Sequence, residues 1–110
     1  MIKWYPDLYL DEMAKKKEAK WKNKIEKGKP MLEVYCICIA LNPDNLFDII
    51  NVNELMFRYY KQKNLAIIGL AYGRTSALKL VEKIALDIYQ KTDNFEPKVF
   101  FYDYLHEIEG

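Results

Sequence analysis

The sequence predicts one α/β or α+β domain, a sandwich of a three- to four-stranded mixed sheet and three helices. Three observations carry that reading. Two runs, MLEVYCICIAL and LAIIGLAY, are apolar on both alternating sets of positions, as strands covered on both faces are. A third run, SALKLVEKIALDIYQK, repeats its apolar positions at the helical period. The 110 residues suit a single domain, and a hydrophobic content of 51% is enough for one core.

The elements follow in chain order. WYPDLYL, residues 4–10, is a short extended segment that Pro6 confines to a sheet edge or a loop. Asp11 then caps a helix over residues 12–28, which Gly28, Lys29 and Pro30 bring to a stop. The apolar stripe of this helix is thin, so it lies on the surface and docks through Trp21 and Ile25, with Ala14 on the same side. Residues 31–41 form a central strand. Cys36 and Cys38 share one of its faces, held apart by the extended backbone, and read as reduced core residues. Asn42, Pro43, Asp44 and Asn45 make a turn. Residues 47–52 are β-prone but are read as a loop or short helix, followed by a further short helix capped by Asn53. Residues 65–72 form a second buried strand, in which Gly69 permits a close neighbour or a bulge. The helix over residues 75–92 presents Ala77, Leu78, Val81, Ile84, Ala85 and Ile88 on one broad face. Residues 97–104, PKVFFYDY, read as a last strand with aromatic groups on both faces, ahead of a frayed tail. Strands joined through true helical crossovers would run parallel.

Charge and residue inventory exclude several kinds of chemistry. The net charge of +1 conceals an uneven distribution: residues 13–30 hold eight Lys and two Glu, and the rest of the chain nine bases against fourteen acids. Part of the lysine and tyrosine excess is compositional, because Lys, Ile, Tyr, Asn, Phe and Met make 51 of the 110 residues, as AT-rich codons favour. No window is apolar for long enough to span a membrane, and the start MIKWYPDLYLDE has acids where a signal peptide is apolar, so a cytosolic setting is expected. Nucleophilic catalysis lacks parts. Ser76 is the one serine, Thr75 and Thr92 are the threonines, the one histidine, His106, sits in the tail, and no nucleophile and base stand at a spacing that suggests a pair. Cys36, Cys38 and His106 fall short of the four ligands of a structural zinc site, and neither metal nor cofactor is expected. Asp44, Asp48, Glu54, Glu107 and Glu109 are scattered over connections and tail, where acids are solvated.

Three features remain as candidate sites. Lys16, Lys20, Trp21 and Lys24 form a basic surface with an aromatic group, suited to nucleic acid, a membrane surface or an acidic protein, or else a solvated helix face anchored by Trp21. Arg58 and Arg74 are the only arginines, which weighs against nucleic acid, where Arg supplies the bidentate contacts. Tyr59 and Tyr60 on a short helix, with Tyr102 and Tyr104 on the last strand, are amphipathic anchors of the kind interfaces use, or else half-buried packing. The third feature is the turn Gly73, Arg74, Thr75 and Ser76. GLAYGRT is one residue too short for a P-loop and has Arg in place of its Lys. What remains is a helix N-terminus able to accept an anion, such as the phosphate of a small ligand or nucleotide, or a plain turn in which Gly73 relaxes the backbone and Thr75 caps.

From about residue 4 to residue 102, through YLDE, NPDN-L-DII, IIGLA-G and VEKIA-IYQKT, the chain resembles a group of small uncharacterised proteins of anaerobic Gram-positive bacteria and their mobile elements. In that group the positions of Thr75 and Ser76 tend to be acidic, which resembles capping more than phosphate capture. The resemblance implies a bacterial cytosolic setting, with phage or transposon cargo as one form of it, and brings no activity, cofactor or catalytic residue. The leading expectation is a non-enzymatic module presenting a surface to a protein partner or to itself. Binding of a phosphate-bearing ligand through residues 73–76 and of nucleic acid through the lysine helix are the alternatives.

Overall fold

The computed structural model describes residues 1–40, 44–93, 96–101, 104 and 105, with backbone alone at 98 and 99. Along the chain come β1 (Ile2–Leu10), α1 (Glu12–Glu26), β2 (Val34–Ile39), β3 (Phe47–Asn51), a 3₁₀ helix (Val52–Met56), α2 (Arg58–Lys61), β4 (Leu65–Tyr72), α3 (Arg74–Thr92) and α4 (Pro97–Phe100). The strands form one mixed sheet in the order β1-β4-β2-β3, with β1 parallel to β4 and β2 antiparallel to β3 and β4. β1 and β2 therefore run antiparallel although α1 joins them, and they are not neighbours, since β4 lies between them.

Each face of the sheet has its own core. On one, Cys36, Cys38, Ile50, Ile67 and Leu70 pack with Trp21 and Ile25 of α1 and with Val52 and Leu55. On the other, Ile37, Ile39, Ala66 and Ile68 pack with Ala77, Leu80, Ile84 and Ile88 of α3 and with Phe101. This double cover is the reason β2 and β4 are apolar at both alternating sets of positions. The buried stripe of α3 takes Leu80 instead of Leu78, which is 48% exposed. Spacing of i, i+3, i+7, i+11 from Ala77 keeps a straight helix on one line against the sheet.

Gly69 serves as both bulge and close approach. β2 pairs Ile37 with Gly69 but Cys38 with Ile67, so β4 carries one extra residue there. A Cβ on Gly69 would lie 3.3 Å from Ile37 Cδ1, Leu80 Cδ2 and the Tyr9 carbonyl oxygen. Asp11 caps α1 as expected: its Oδ1 accepts from the Ala14 N–H at 2.8 Å, and its Oδ2 accepts from the Tyr72 N–H at 2.8 Å, which ties the end of β1 to the end of β4. α1 is kinked at Lys17 and closes at Lys27, with Gly28 at φ 68° just beyond.

Four expectations are corrected. Residues 47–51 form a strand, because β2 offers them a complete antiparallel ladder from Tyr35–Asn51 to Ile39–Phe47. The cap of the helical segment after it is Asn51, whose side chain accepts from the Asn53 N–H at 3.0 Å. Asn53 instead clasps Met31, donating to its carbonyl and accepting from its N–H at 2.8 Å each. Residues 97–100 are helical where a strand over 97–104 is expected. Pro97 suits a first helical turn, and Phe100, Phe101, Tyr104 and Leu105 recur at i, i+1, i+4 and i+5, one helical face. The Phe101 N–H donates to the Pro97 carbonyl and the Leu105 N–H to the Phe101 carbonyl, at 2.9 Å each. At α3, Gly73 is the cap residue, with no side-chain cap bond, and Thr75 lies inside the first turn. Leu41, Asn42, Pro43, Tyr102, His106, Glu107 and Glu109 lie outside the described residues. Among the described residues no helix is long and apolar enough to cross a membrane.

Candidate functional site

The structure distributes the predicted site residues over three places. Trp21 is 5% exposed, with its ring stacked on that of Tyr72 at 6.5 Å between centroids. It anchors α1 and offers no face to a base or a lipid, a correction to its expected place on the interaction surface. Lys16 and Lys20 are exposed and Lys24 is half-buried, so the lysines form the solvated side of a helix held by Trp21. Tyr104 is also buried, its hydroxyl donating to the Lys3 carbonyl of β1, and so leaves the expected surface.

The 73–76 turn divides. The Gly73 N–H donates to the Glu33 carbonyl at 2.7 Å, and its own carbonyl accepts from the Ala77 N–H at 3.1 Å, so the turn is tied into the fold on both sides. Ser76 opens on a crevice between the starts of α1 and α3, which Lys15, Lys16, Lys79 and Lys83 also line. Arg74 lines a different groove, beside β3. Residues 73–76 therefore do not gather into one phosphate cradle.

Arg74 instead joins the tyrosine pair. A groove of about 440 Å³ runs along β3, lined by Phe47, Asp48, Ile49, Tyr59, Tyr60 and Arg74. β3 is a terminal strand of the sheet, and among the described residues it pairs with β2 alone. Its side chains serve both faces: Ile50 lies opposite Cys36 on the α1 side, and Phe47 and Ile49 lie opposite Ile39 and Ile37 on the α3 side. The segment beyond β3 is pinned by buried Val52 and Leu55 and by the Asn53 clasp. It presents Phe57, 62% exposed, and Tyr59, 58% exposed, to solvent, with Leu46 also exposed at the start of the strand. The rings of Tyr59 and Tyr60 meet edge to face at 5.0 Å. Burial, followed by the Glu54 and Asp48 carboxylates, pushes the Tyr60 phenol up, so it stays a neutral hydrogen-bonding group.

The cysteines are core residues. Their sulfurs are 3.8 Å apart, buried and without a disulfide, and the hydrogen bond to Cys36 together with burial pushes the Cys38 thiol up and away from reactive thiolate. Among the described residues no three His, Cys, Asp or Glu side chains gather as a metal site. Sequence reasoning missed β3 and Phe57. The available signal was the FDII run between two Asn-bearing turns, which is too short for periodicity to separate strand from helix. Comparison with protein-family models, curated proteins and solved structures finds no match to this chain.

Proposed function

We propose that the protein is a non-enzymatic interaction module that works by strand addition at β3, and that the strand it receives is the β3 of a second copy. The observation that carries this reading is an edge strand flanked by exposed Leu46, Phe57 and Tyr59. Peptide groups along such an edge gain partners when another strand docks, and the surrounding apolar side chains leave water in the same step. An antiparallel β3–β3 pair about a two-fold axis would join two four-stranded sheets into one. A net charge of +1 leaves little repulsion between copies. The setting proposed is the bacterial cytosol, supported by the resemblance above and by two unpaired core thiols. In this reading Arg74 belongs to the interface, which removes the main support for phosphate binding at 73–76.

Sedimentation velocity at tens of micromolar protein tests the proposal. The expected result is a species of twice the chain mass, and Ile49→Lys, which sets a charge on the edge, returns monomer with an unchanged far-UV spectrum. A strictly monomeric wild-type chain at that concentration overturns it.

A further inference from the structure

A second concavity lies where β1 and β4 begin and α1 ends. It encloses about 580 Å³, within the range of small-molecule sites. Its floor is core: Ile25, Val52, Leu55 and Leu65 line it, each less than a tenth exposed, together with Ile2 of β1. Met56 and Tyr60 form a wall. The rim is cationic. Lys27 and Lys29 flank Gly28, whose φ of 68° reverses the chain at the end of α1, and Lys61 reaches the same cavity from the end of α2.

The bland explanation for these lysines is that cations favour helix C-termini. That accounts for about half a charge at a helix end, and here the end of α1 is already closed by the Gly28 and Lys29 N–H groups donating to the Ile25 and Lys24 carbonyls. Three lysines against one rim carboxylate, Glu26, leave a clear positive excess. Glu26 is itself engaged, accepting from Trp4 Nε1 at 2.6 Å. An apolar floor under a cationic rim matches one chemistry: an alkyl or aromatic body carrying a single anionic head.

We infer that this cavity binds a single-chain amphiphilic anion, with the body on Ile25, Val52, Leu55 and Leu65 and the head at Lys27, Lys29 and Lys61. The cavity shares Tyr60 with the β3 groove but is otherwise lined by different residues, and the inference does not depend on self-association.

Titration calorimetry below the critical micelle concentration, with dodecanoate, dodecanol and acetate as probes, tests the inference. Dodecanoate binds with saturation near one per chain, dodecanol binds about ten-fold or more weakly, and acetate gives no heat. The Lys27→Glu, Lys61→Glu double variant weakens dodecanoate about ten-fold. The same reversal at the far end of the helix, Lys15→Glu with Lys16→Glu, leaves it unchanged. Met56→Trp, at a 42% exposed wall position that tolerates bulk, occludes the cavity and abolishes binding of both long-chain probes. Absence of dodecanoate binding overturns the inference. So does equal weakening by the two charge reversals, which would mark general attraction to a basic helix, or binding of acetate as tight as that of dodecanoate, which would mark an anion site without a chain site.

Discussion

The two edges of the sheet are built differently. β1 pairs with β4 at Ile2–Trp4 and again at Tyr9–Leu10, with an irregular stretch containing Pro6 between. Over it lie Phe101 and Tyr104, whose rings meet Tyr5 at 4.9 and 5.4 Å, and the Tyr104 hydroxyl takes up the Lys3 carbonyl. Proline, irregularity and a covering segment are the devices by which proteins protect a sheet edge. β3 has five residues, no proline and one charge, Asp48, and its flank exposes aromatic groups. The difference teaches that an outer strand is closed or open according to what the rest of the chain lays over it, and that among the described residues no segment pairs with the outer side of β3.

Stripping the closed edge should have the largest effect. Phe101→Ala removes a side chain only 1% exposed and is expected to cost about 3–5 kcal/mol in urea unfolding, because the cavity cannot collapse under a covering segment. Next comes the tie between β1 and β4. Asp11→Ala removes the α1 cap and the acceptor of the Tyr72 N–H together, for about 2–3 kcal/mol.

The closed edge should also be sensitive to alkali. Burial raises the Tyr104 phenol, and burial followed by the hydrogen bond to Asp87 raises Tyr9, so the fold retains protons that the unfolded chain releases above about pH 10. Their contribution to stability is present below that pH and lost as pH rises beyond it. Unfolding followed from pH 8 upward should show this decline, and Tyr104→Phe should remove its own share and leave that of Tyr9, at a cost of about 1 kcal/mol from the lost hydrogen bond. The smallest change in stability is expected at the open edge. Ile49→Lys, at a half-buried position, should move the unfolding midpoint by no more than about 1 kcal/mol while removing any dependence of the midpoint on protein concentration. A large loss of stability there would mean that β3 is no freer than β1.

Legibility followed pattern length. The fifteen residues of α1 and nineteen of α3 carry enough turns for one apolar face to stand out, and β2 and β4 are apolar on both sides as only doubly covered strands are. The five residues of β3 and the four of α4 do not repeat often enough to declare a period. FDIIN became a strand because β2 had a free side, and PKVF became a helix because Phe101 and Tyr104 reach one core from one helical face. The candidate site was half visible. Tyr59, Tyr60 and Arg74 stood out in the sequence, but as members of two separate features, and nothing local brings residues 59, 60 and 74 to one groove.

By itself the sequence determined the mixed sheet with helices, the Asp11 cap, the buried thiols, the docking of α1 through Trp21 and Ile25, and the irregularity at Gly69. These are set by neighbours along the chain, through hydrogen bonds and side-chain periods a few residues long. The tertiary structure alone decided that β4 lies between β1 and β2, that Phe101 and Tyr104 cover one edge, and that β3 is the terminal strand at the other, paired among the described residues with β2 alone. Those outcomes depend on which backbone groups still lack a partner once the central strands have paired, a quantity that exists only when residues far apart in sequence have met.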